Sequence, residues 1–140
     1  MAYAMQPISL TATATLDRDT HANAVCSLDA SAGITISLPT NTGAGDVYEF
    51  VVGTALTTSN YVIQTDGTDV MAGVVLQVAD TGGITIPTSA TSDKITMNGS
   101  TTGGAVGSRI KLTDFKDGTW QVSGELIAVG NEATPFGTQG

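Results

Sequence analysis

Apolar and polar side chains alternate along most of the chain between residues 33 and 129. In the segment GITISLPT, for example, Ile34, Ile36 and Leu38 are separated by Thr35 and Ser37. Successive side chains of a β-strand point to opposite faces, so this pattern predicts strands that have one face on a core. No segment shows the spacing of an amphipathic helix. The predicted strands are AVCSLDA, GITISLPT, DVYEFVV, NYVIQT, DVMAGVVLQV, GITIPT, KITMNG, RIKLTDF and TWQVSGELIAV.

Two Asp-Gly pairs predict tight turns between strands. Asp66-Gly67 separates NYVIQT from DVMAGVVLQV, and Asp117-Gly118 separates RIKLTDF from TWQVSGELIAV. An Asp-Gly pair adopts the positive φ angles of a type I′ turn, which matches the twist of a two-stranded hairpin. We therefore predict a hairpin at each pair. Trp120, the single tryptophan, follows the second turn and is predicted to anchor the core.

The length and composition fit one domain. The chain has 140 residues, of which 41% are hydrophobic, enough for a single core. Threonine accounts for 23 residues, and its branched side chain suits the solvent-facing side of a strand. We predict an all-β fold, a single-domain β-sandwich of jelly-roll or tulip-like form. In this prediction an extended N-terminal arm covers residues 1–16, the sandwich covers 17–130, and a short C-terminal tail covers 131–140.

The charge balance argues against one class of partner. Thirteen acidic residues outweigh five basic ones, which gives a formal net charge of −8 at pH 7. Binding to nucleic-acid phosphates depends on clustered Lys and Arg, so no nucleic-acid partner is predicted. No segment approaches the run of about 18 apolar residues that a membrane helix needs. The N-terminal segment lacks the basic and apolar regions of a secretory signal, which predicts synthesis in a cytosolic compartment.

Side chains suited to catalysis are scarce. The chain has one histidine, His21, and one cysteine, Cys26, and it contains no phosphate-binding, metalloprotease or serine-hydrolase motif. A lone cysteine closes no intrachain disulfide, so Cys26 is predicted to be a small buried residue. His21 lies in a polar segment and is predicted to be a solvated turn residue. The sequence therefore predicts no enzyme activity, no cofactor and no metal site.

Aspartates at the predicted turns leave open the alternative that the chain binds calcium. Asp66 with Asp69, and Asp114 with Asp117, flank two turns at which carboxylate oxygens could converge on a calcium ion. Aspartate is also an ordinary turn residue, because it accepts hydrogen bonds from nearby backbone amides. The chain contains no twelve-residue calcium-binding loop. We therefore favour the turn role for these residues.

Several segments together resemble a known family of viral proteins. The segments are LDRDTH, SAGITISLPTNTGAGDVYEFVV, SDKITMNGSTTGG and GTWQVSGELIAVGNEATPF. They are similar to capsid decoration, or cement, proteins of tailed bacteriophages. The resemblance implies a β-rich subunit that forms a homotrimer on the capsid exterior and reinforces the shell through non-covalent contacts with the major capsid protein. It also implies a virion protein made in the host cytoplasm, and it assigns no catalytic residue.

Apolar residues near both termini are the predicted docking residues. An apolar segment at a chain terminus is a candidate for binding a partner or a sister subunit. The residues predicted to contact the capsid or a neighbouring subunit are Tyr3, Met5, Pro7, Ile8, Pro135 and Phe136.

A second interpretation assigns the chain to a fibre rather than to the capsid surface. The segment 33–52 is also similar to modules of phage tail fibres, which implies a tail-fibre or head-fibre module that binds a host-surface glycan. Such a site requires an exposed aromatic or carboxylate cluster at one end of the sandwich. Aromatic residues make up only 5% of the chain, which favours the decoration interpretation.

Overall fold

The computed structural model describes residues 6–79 and 82–139, which form two β-sheets packed around a shared core. The predicted all-β sandwich is confirmed. The described residues form the strands β1 (Ile8–Leu10), β2 (Ala14–Thr15), β3 (Val25–Leu28), β4 (Ile34–Ser37), β5 (Val47–Val52), β6 (Tyr61–Gln64), β7 (Val70–Ala79), β8 (Gly82–Pro87), β9 (Lys94–Met97), β10 (Arg109–Lys116), β11 (Thr119–Ile127) and β12 (Phe136–Gly137), and the short helix α1 (Arg18–His21).

The early part of the chain winds alternately through the two sheets, and most of the later strands pair in antiparallel fashion. The larger sheet has the order β1-β3-β5-β10-β11-β7-β8, and the smaller one has the order β12-β9-β6-β4-β2. From β1 to β7 the chain alternates between the sheets, so β1, β3 and β5 run parallel, as do β2, β4 and β6. Jelly rolls are assembled from antiparallel strands. The first half of this sandwich therefore has a different connectivity from a jelly roll.

The core consists of the side chains on the inward side of each alternating strand. Trp120 is 1% exposed, which confirms its predicted place, and its ring packs edge to face on Tyr48 with a centroid distance of 5.5 Å. Cys26 is also buried as predicted, and burial raises the pKa of its thiol to about 11. The largest fully buried side chains are Trp120, Tyr48, Tyr61, Phe50, Leu28, Ile36, Leu38, Ile63, Met71, Ile95, Met97 and Ile110.

The two Asp-Gly pairs have different outcomes. Asp117-Gly118 joins β10 to β11 as a hairpin, as predicted, but φ is positive at Gly118 and not at Asp117, so the expected type I′ geometry is wrong. The hairpin predicted at Asp66-Gly67 is wrong, because β6 and β7 belong to different sheets. Asp66 still forms a local turn, in which its Oδ1 accepts hydrogen bonds from the amides of Thr68 and Asp69. The prediction of a local turn is therefore correct. The sheet that contains the next strand is determined by packing between distant segments.

The segments predicted as an arm and a tail contribute strands to the sandwich. β1 pairs with β3 and β2 pairs with β4, and Leu10 and Leu16 are buried in the core. Residues 8–16 therefore belong to the body of the subunit, because these two leucines lose contact with water there. At the other terminus, Phe136 in β12 pairs with Ile95 of β9 and packs against the core.

Gly73 allows β7 to lie close to β11 in the middle of the larger sheet. Its φ angle is +151°, and a Cβ atom at this position would meet the carbonyl oxygen of Val122. Both features favour glycine, which has no Cβ. The close approach fixes the position of β7, whose outer face forms part of the surface described next.

Candidate interaction surface

Three loops meet at one end of the strands and are joined there by Asn41. The loops are 39–46, 65–69 and 115–118, which lead into β5, β7 and β11. The Asn41 amide donates to Asp69 Oδ2 at 2.8 Å, its Nδ2 donates to the Thr119 carbonyl at 2.9 Å, and its Oδ1 accepts from the Gly118 amide at 2.9 Å. The backbone amide and the side chain of one buried residue therefore hold three loops in a fixed arrangement.

Most of the negative charge of the subunit lies at this end. The strand directions and pairings bring eight of the thirteen acidic residues there, against the basic residues Arg18, Lys94 and Lys116. We call this region the acidic end. Its acidic residues are Asp17, Asp19, Asp46, Asp66, Asp69, Asp93, Asp114 and Asp117.

Several of these carboxylates anchor backbone amides. Asp114 is 3% exposed, and it accepts hydrogen bonds from the amides of Thr42 at 3.1 Å and Gly43 at 2.6 Å. Burial raises the pKa of Asp66, but the hydrogen bonds that it accepts from Thr68 and Asp69 outweigh this effect and lower the pKa to about 2. Burial raises the pKa of Asp69. Asp66 thus has the predicted turn role, whereas Asp69 and Asp114 anchor the distant loop 39–46.

The polar segment before β3 forms a single helical turn at the same end. Asp17 is the N-cap of α1, and its Oδ1 accepts a hydrogen bond from the Thr20 amide at 2.8 Å, which lowers the pKa of the Asp17 carboxyl. His21 contacts Asp17 through its Nδ1, and Arg18 forms an ion pair with Asp46. His21 thus belongs to the predicted turn, but its side chain is only 14% exposed there, so the expected solvated position is wrong.

A group of exposed apolar side chains lies toward the opposite end, on the outer face of the larger sheet. They come from alternate positions of β7 and from the end of β11, where Val78 pairs with Ile127. Each is 40–52% exposed. We call this group the apolar patch, and it consists of Val74, Leu76, Val78, Ile127 and Val129.

A row of ion-paired side chains borders the apolar patch on one side. Arg109 donates to Glu125 Oε1 at 3.1 Å and to Oε2 at 3.0 Å, and its Nη1 lies 3.7 Å from Glu49 Oε1. Glu125 is the register partner of Leu76. On the other side the patch reaches β8, the edge strand of the sheet. The border of the patch toward the centre of the sheet therefore carries ion-paired charges, and at its other border the residues of β8, Gly82–Pro87, carry none.

The structure places the predicted docking residues in separate regions. Pro7 is exposed and, with Gln6, Asn23, Ala24 and Val25, lines a depression of about 240 Å³. Ile8 and Phe136 are half-buried against the core, and Pro135 is buried. β1 and β12, which contain or adjoin these residues, are edge strands of different sheets. Tyr3 and Met5 lie outside the described residues.

Sequence reasoning missed the apolar patch, although a signal was present. The segment VMAGVVLQVA has apolar residues at both odd and even positions over much of its length. A strand with one wet face normally alternates with polar residues. Val74, Leu76 and Val78 break that alternation on the outward side, which marks this strand as apolar on both faces.

One aromatic side chain is prominent at the acidic end. Phe115 is 52% exposed, and it precedes Lys116 and Asp117 at the tip of the β10–β11 hairpin. A register shift between Asp114 and Lys116 allows Phe115 to leave the regular alternation of the strand. The hairpin tip therefore presents an aromatic ring next to both signs of charge.

The part of the chain that the structure describes contains neither a membrane-spanning helix nor a metal-binding cluster. None of the helical residues forms a segment that is long and apolar enough to cross a membrane. Across 6–79 and 82–139, no group of three or more His, Cys, Asp or Glu side chains is arranged to hold a metal ion. Neither a protein-family model, a curated protein nor a solved structure matches the chain.

Proposed function

We propose that this protein is a homotrimeric decoration, or cement, protein on the outer surface of a phage capsid. It stabilises the shell through non-covalent contacts with major capsid protein subunits. The observation that carries the proposal is the polarity of the surface, with the acidic end and the apolar patch separated along the strands. Negative charge on the outward surface would keep densely decorated particles from associating.

The resemblance to phage decoration proteins supports the same function. The segments that carry the resemblance include β4 with β5, the whole of β9, and β11 with the residues that follow it. They therefore involve the strands and turns of the sandwich rather than one reactive site. A subunit without dedicated chemistry can act by shape and repetition, because several weak contacts in a symmetric assembly add up to strong overall binding.

Capsid contact is assigned to the N-terminal residues. Gln6 and Pro7 are exposed beside the depression formed with Ala24 and Val25, and the preceding residues include Tyr3 and Met5. The side chain of Pro7 is exposed on the surface of the subunit, whereas that of Pro135 is buried. The N-terminus is thus the better placed of the two termini to reach a neighbouring capsid subunit.

Removal of residues 1–6 tests this assignment without removing β1. The shortened protein should fold with an unchanged melting temperature, because Leu10 and the β1–β3 pairing are retained. Its co-sedimentation with expanded capsids should fall at least about tenfold, the effect of losing about 1.4 kcal/mol of binding free energy. A chain with residues 1–6 replaced by Gly and Ser is the control for length. Undiminished capsid occupancy by the shortened protein would contradict the assignment.

The exposed Phe115 supports a second candidate function, a fibre module that binds a host-surface glycan. An aromatic ring beside Asp117 is the kind of group that stacks on a sugar and accepts its hydroxyl hydrogen bonds. A glycan-binding screen with wild type, Phe115→Ala and the control Val106→Ala tests it. Binding that is lost only in Phe115→Ala would favour the fibre function, and the absence of binding by wild type would reject it.

A further inference from the structure

The loop that follows β9 begins with Asn98 and Gly99, a pair of residues that is suited to a spontaneous chemical modification. The chain has five asparagines, and Asn98 is the one that precedes a glycine. The backbone nitrogen after an asparagine can attack the side-chain carbonyl carbon, and glycine lacks the Cβ that hinders this close approach. Both residues are exposed to water. The pair is therefore a candidate site for deamidation.

Deamidation at this pair requires water and no other reactant. The Gly99 nitrogen forms a bond to Cγ of Asn98, its proton passes to Nδ2, the bond between Cγ and Nδ2 breaks, and ammonia leaves. Water then opens the resulting succinimide ring at one of its two carbonyl carbons. The product is an aspartate or an isoaspartate at position 98. Each carries a carboxylate, so the modification adds one negative charge to the net charge of −8.

Hydrogen bonds hold both reacting groups in the folded subunit. Asn98 Oδ1 accepts from the amide of Ser100 at 2.8 Å and from the amide of Thr102 at 3.1 Å. The amide of Gly99 donates to the Gly103 carbonyl at 2.8 Å. The side chain is fixed by two donors and the attacking nitrogen by one acceptor, so closure of the ring requires local opening of the loop.

The same loop is tied to distant parts of the subunit. The hydroxyl oxygen of Thr102, a residue that is 9% exposed, accepts from the Asn98 amide at 2.9 Å. The hydroxyl oxygen of Thr101 accepts from Asn98 Nδ2 at 3.0 Å. The Thr101 carbonyl accepts from Gln77 Nε2 at 2.7 Å and from the Ala133 amide at 2.9 Å. Opening of the loop therefore breaks contacts with β7 and with the segment after β11, which makes it a rare event.

We propose that Asn98 is a deamidation site that the folded loop 98–104 keeps closed and that becomes reactive when this loop opens. The inference goes beyond the decoration function and does not depend on it. An aspartate at position 98 retains the acceptor of the loop, since Asp66 accepts amide hydrogen bonds in the same way in its own turn. An isoaspartate lengthens the backbone before Gly99 by one methylene group, which displaces the Gly99 amide from Gly103.

Incubation of the full chain in mildly alkaline buffer, with and without guanidinium chloride, measures the reaction in the unfolded and the folded state. Trypsin cleaves after Lys94 and Arg109, and Asn98 carries the single side-chain amide of the peptide 95–109, so the mass of this peptide reports the site. Deamidation should be at least about tenfold faster in the unfolded chain, which corresponds to a free energy of loop opening of at least about 1.4 kcal/mol. The other four asparagines are internal controls and should react more slowly than Asn98 in the unfolded chain, because none precedes glycine.

The substitution Thr102→Val tests the control by hydrogen bonds, because it removes the hydroxyl acceptor and keeps a branched side chain. In the folded state it should deamidate at least about fivefold faster than wild type, since the Asn98 amide loses its partner. Thr96→Val makes the same change on β9, outside the loop, and is the matched control with an unchanged rate. In guanidinium chloride all three proteins should react at the same rate.

Equal rates in folded and unfolded wild type would overturn the proposed closure, and a peptide that keeps its amide in both states would overturn the site. Equal folded-state rates of Thr102→Val and Thr96→Val would contradict the control by the loop. Circular dichroism establishes that each variant is folded. If Thr102→Val does not fold, the comparison of folded with unfolded wild type decides the proposal without it.

Discussion

The acidic end and the apolar patch lie toward opposite ends of the same strands, and the side chains of the two regions differ in what they contact. At the acidic end, polar groups such as Asn41 and Asp114 are buried and hydrogen-bonded to backbone atoms of other loops. At the patch, apolar groups such as Leu76, which is 41% exposed, leave much of their surface in contact with water. The polar groups are satisfied within the subunit, whereas the apolar groups are not. The comparison indicates that the first region maintains the fold and the second is available for assembly.

This difference also separates stability from interaction. Loss of an acceptor at the acidic end leaves buried backbone amides without a partner, which costs stability. Loss of an exposed apolar side chain from the patch changes the stability of an isolated subunit little. Substitutions in the two regions should therefore affect different measurements.

The largest effect on stability should come from Asp114→Ala. We expect the free energy of unfolding to fall by about 2–3 kcal/mol, because the amides of Thr42 and Gly43 lose their acceptor. Chemical denaturation monitored by the fluorescence of Trp120 measures this change. Asp19→Ala, an exposed residue at the same end, is the control and should change stability by less than about 0.5 kcal/mol. Equal effects of the two substitutions would contradict the anchoring role.

A smaller effect is expected at the other end of the strands, where Tyr61 anchors the loop 53–60. Its hydroxyl donates to the Thr54 carbonyl at 2.6 Å and accepts from the Ala30 amide at 3.0 Å. Tyr61→Phe should lower the free energy of unfolding by about 1–1.5 kcal/mol. The measurement is again chemical denaturation, with proteolysis of the loop as a local readout. Unchanged stability and unchanged cleavage would show that the loop is held by other contacts.

Acid should destabilise the acidic end. The folded-state pKa of Asp66 is about 2, below its value in an unfolded chain of about 3.9. A carboxyl with a lowered folded pKa contributes stability that is complete above the unfolded pKa and is lost as the pH falls toward the folded pKa. Asp69, whose pKa burial raises, acts in the opposite direction.

The melting temperature should therefore fall between about pH 5 and about pH 2. In Asp66→Asn the fall should be less steep, and the difference from wild type should shrink toward pH 2, where Asp66 of wild type becomes protonated as well. Thermal unfolding followed by circular dichroism at each pH checks this. A constant difference between the two proteins over the whole range would contradict a role for the Asp66 charge.

The smallest effect is expected at the charged row between the two regions. Arg109 is 41% exposed, and its ion pairs with Glu125 and Glu49 are screened by solvent. Arg109→Gln should lower the free energy of unfolding by less than about 1 kcal/mol, and the difference should decrease further at about 1 M salt. A loss of more than about 2 kcal/mol that persists in high salt would show that this row has a structural role beyond surface pairing.

Strands and local turns could be predicted from the sequence because their signals are local. The alternation in GITISLPT and RIKLTDF predicted β4 and β10, and Asp117-Gly118 predicted the β10–β11 hairpin. Asp66-Gly67 has the same local signal but joins the two sheets. Sheet membership depends on packing between distant segments, which a pattern within a few residues does not contain.

The candidate surface was less accessible to prediction for the same reason. Asn41 contacts Asp69 and Thr119, which are 28 and 78 residues away in the chain. The burial of Leu10 and Leu16 also depends on strands that follow later, so an arm was predicted where the structure has β1 and β2. The apolar outer side of β7 was visible in VMAGVVLQVA, but only the sheet order shows that it adjoins an edge.

Antibody labelling of intact virions, observed by electron microscopy, tests the central claim most directly. The antibodies should be raised against the whole subunit, so that labelling does not depend on which of its faces is turned outward. We predict label distributed over the whole head surface and none on the tail. Label confined to the tail, or to a fibre, would contradict a decoration function and favour glycan recognition.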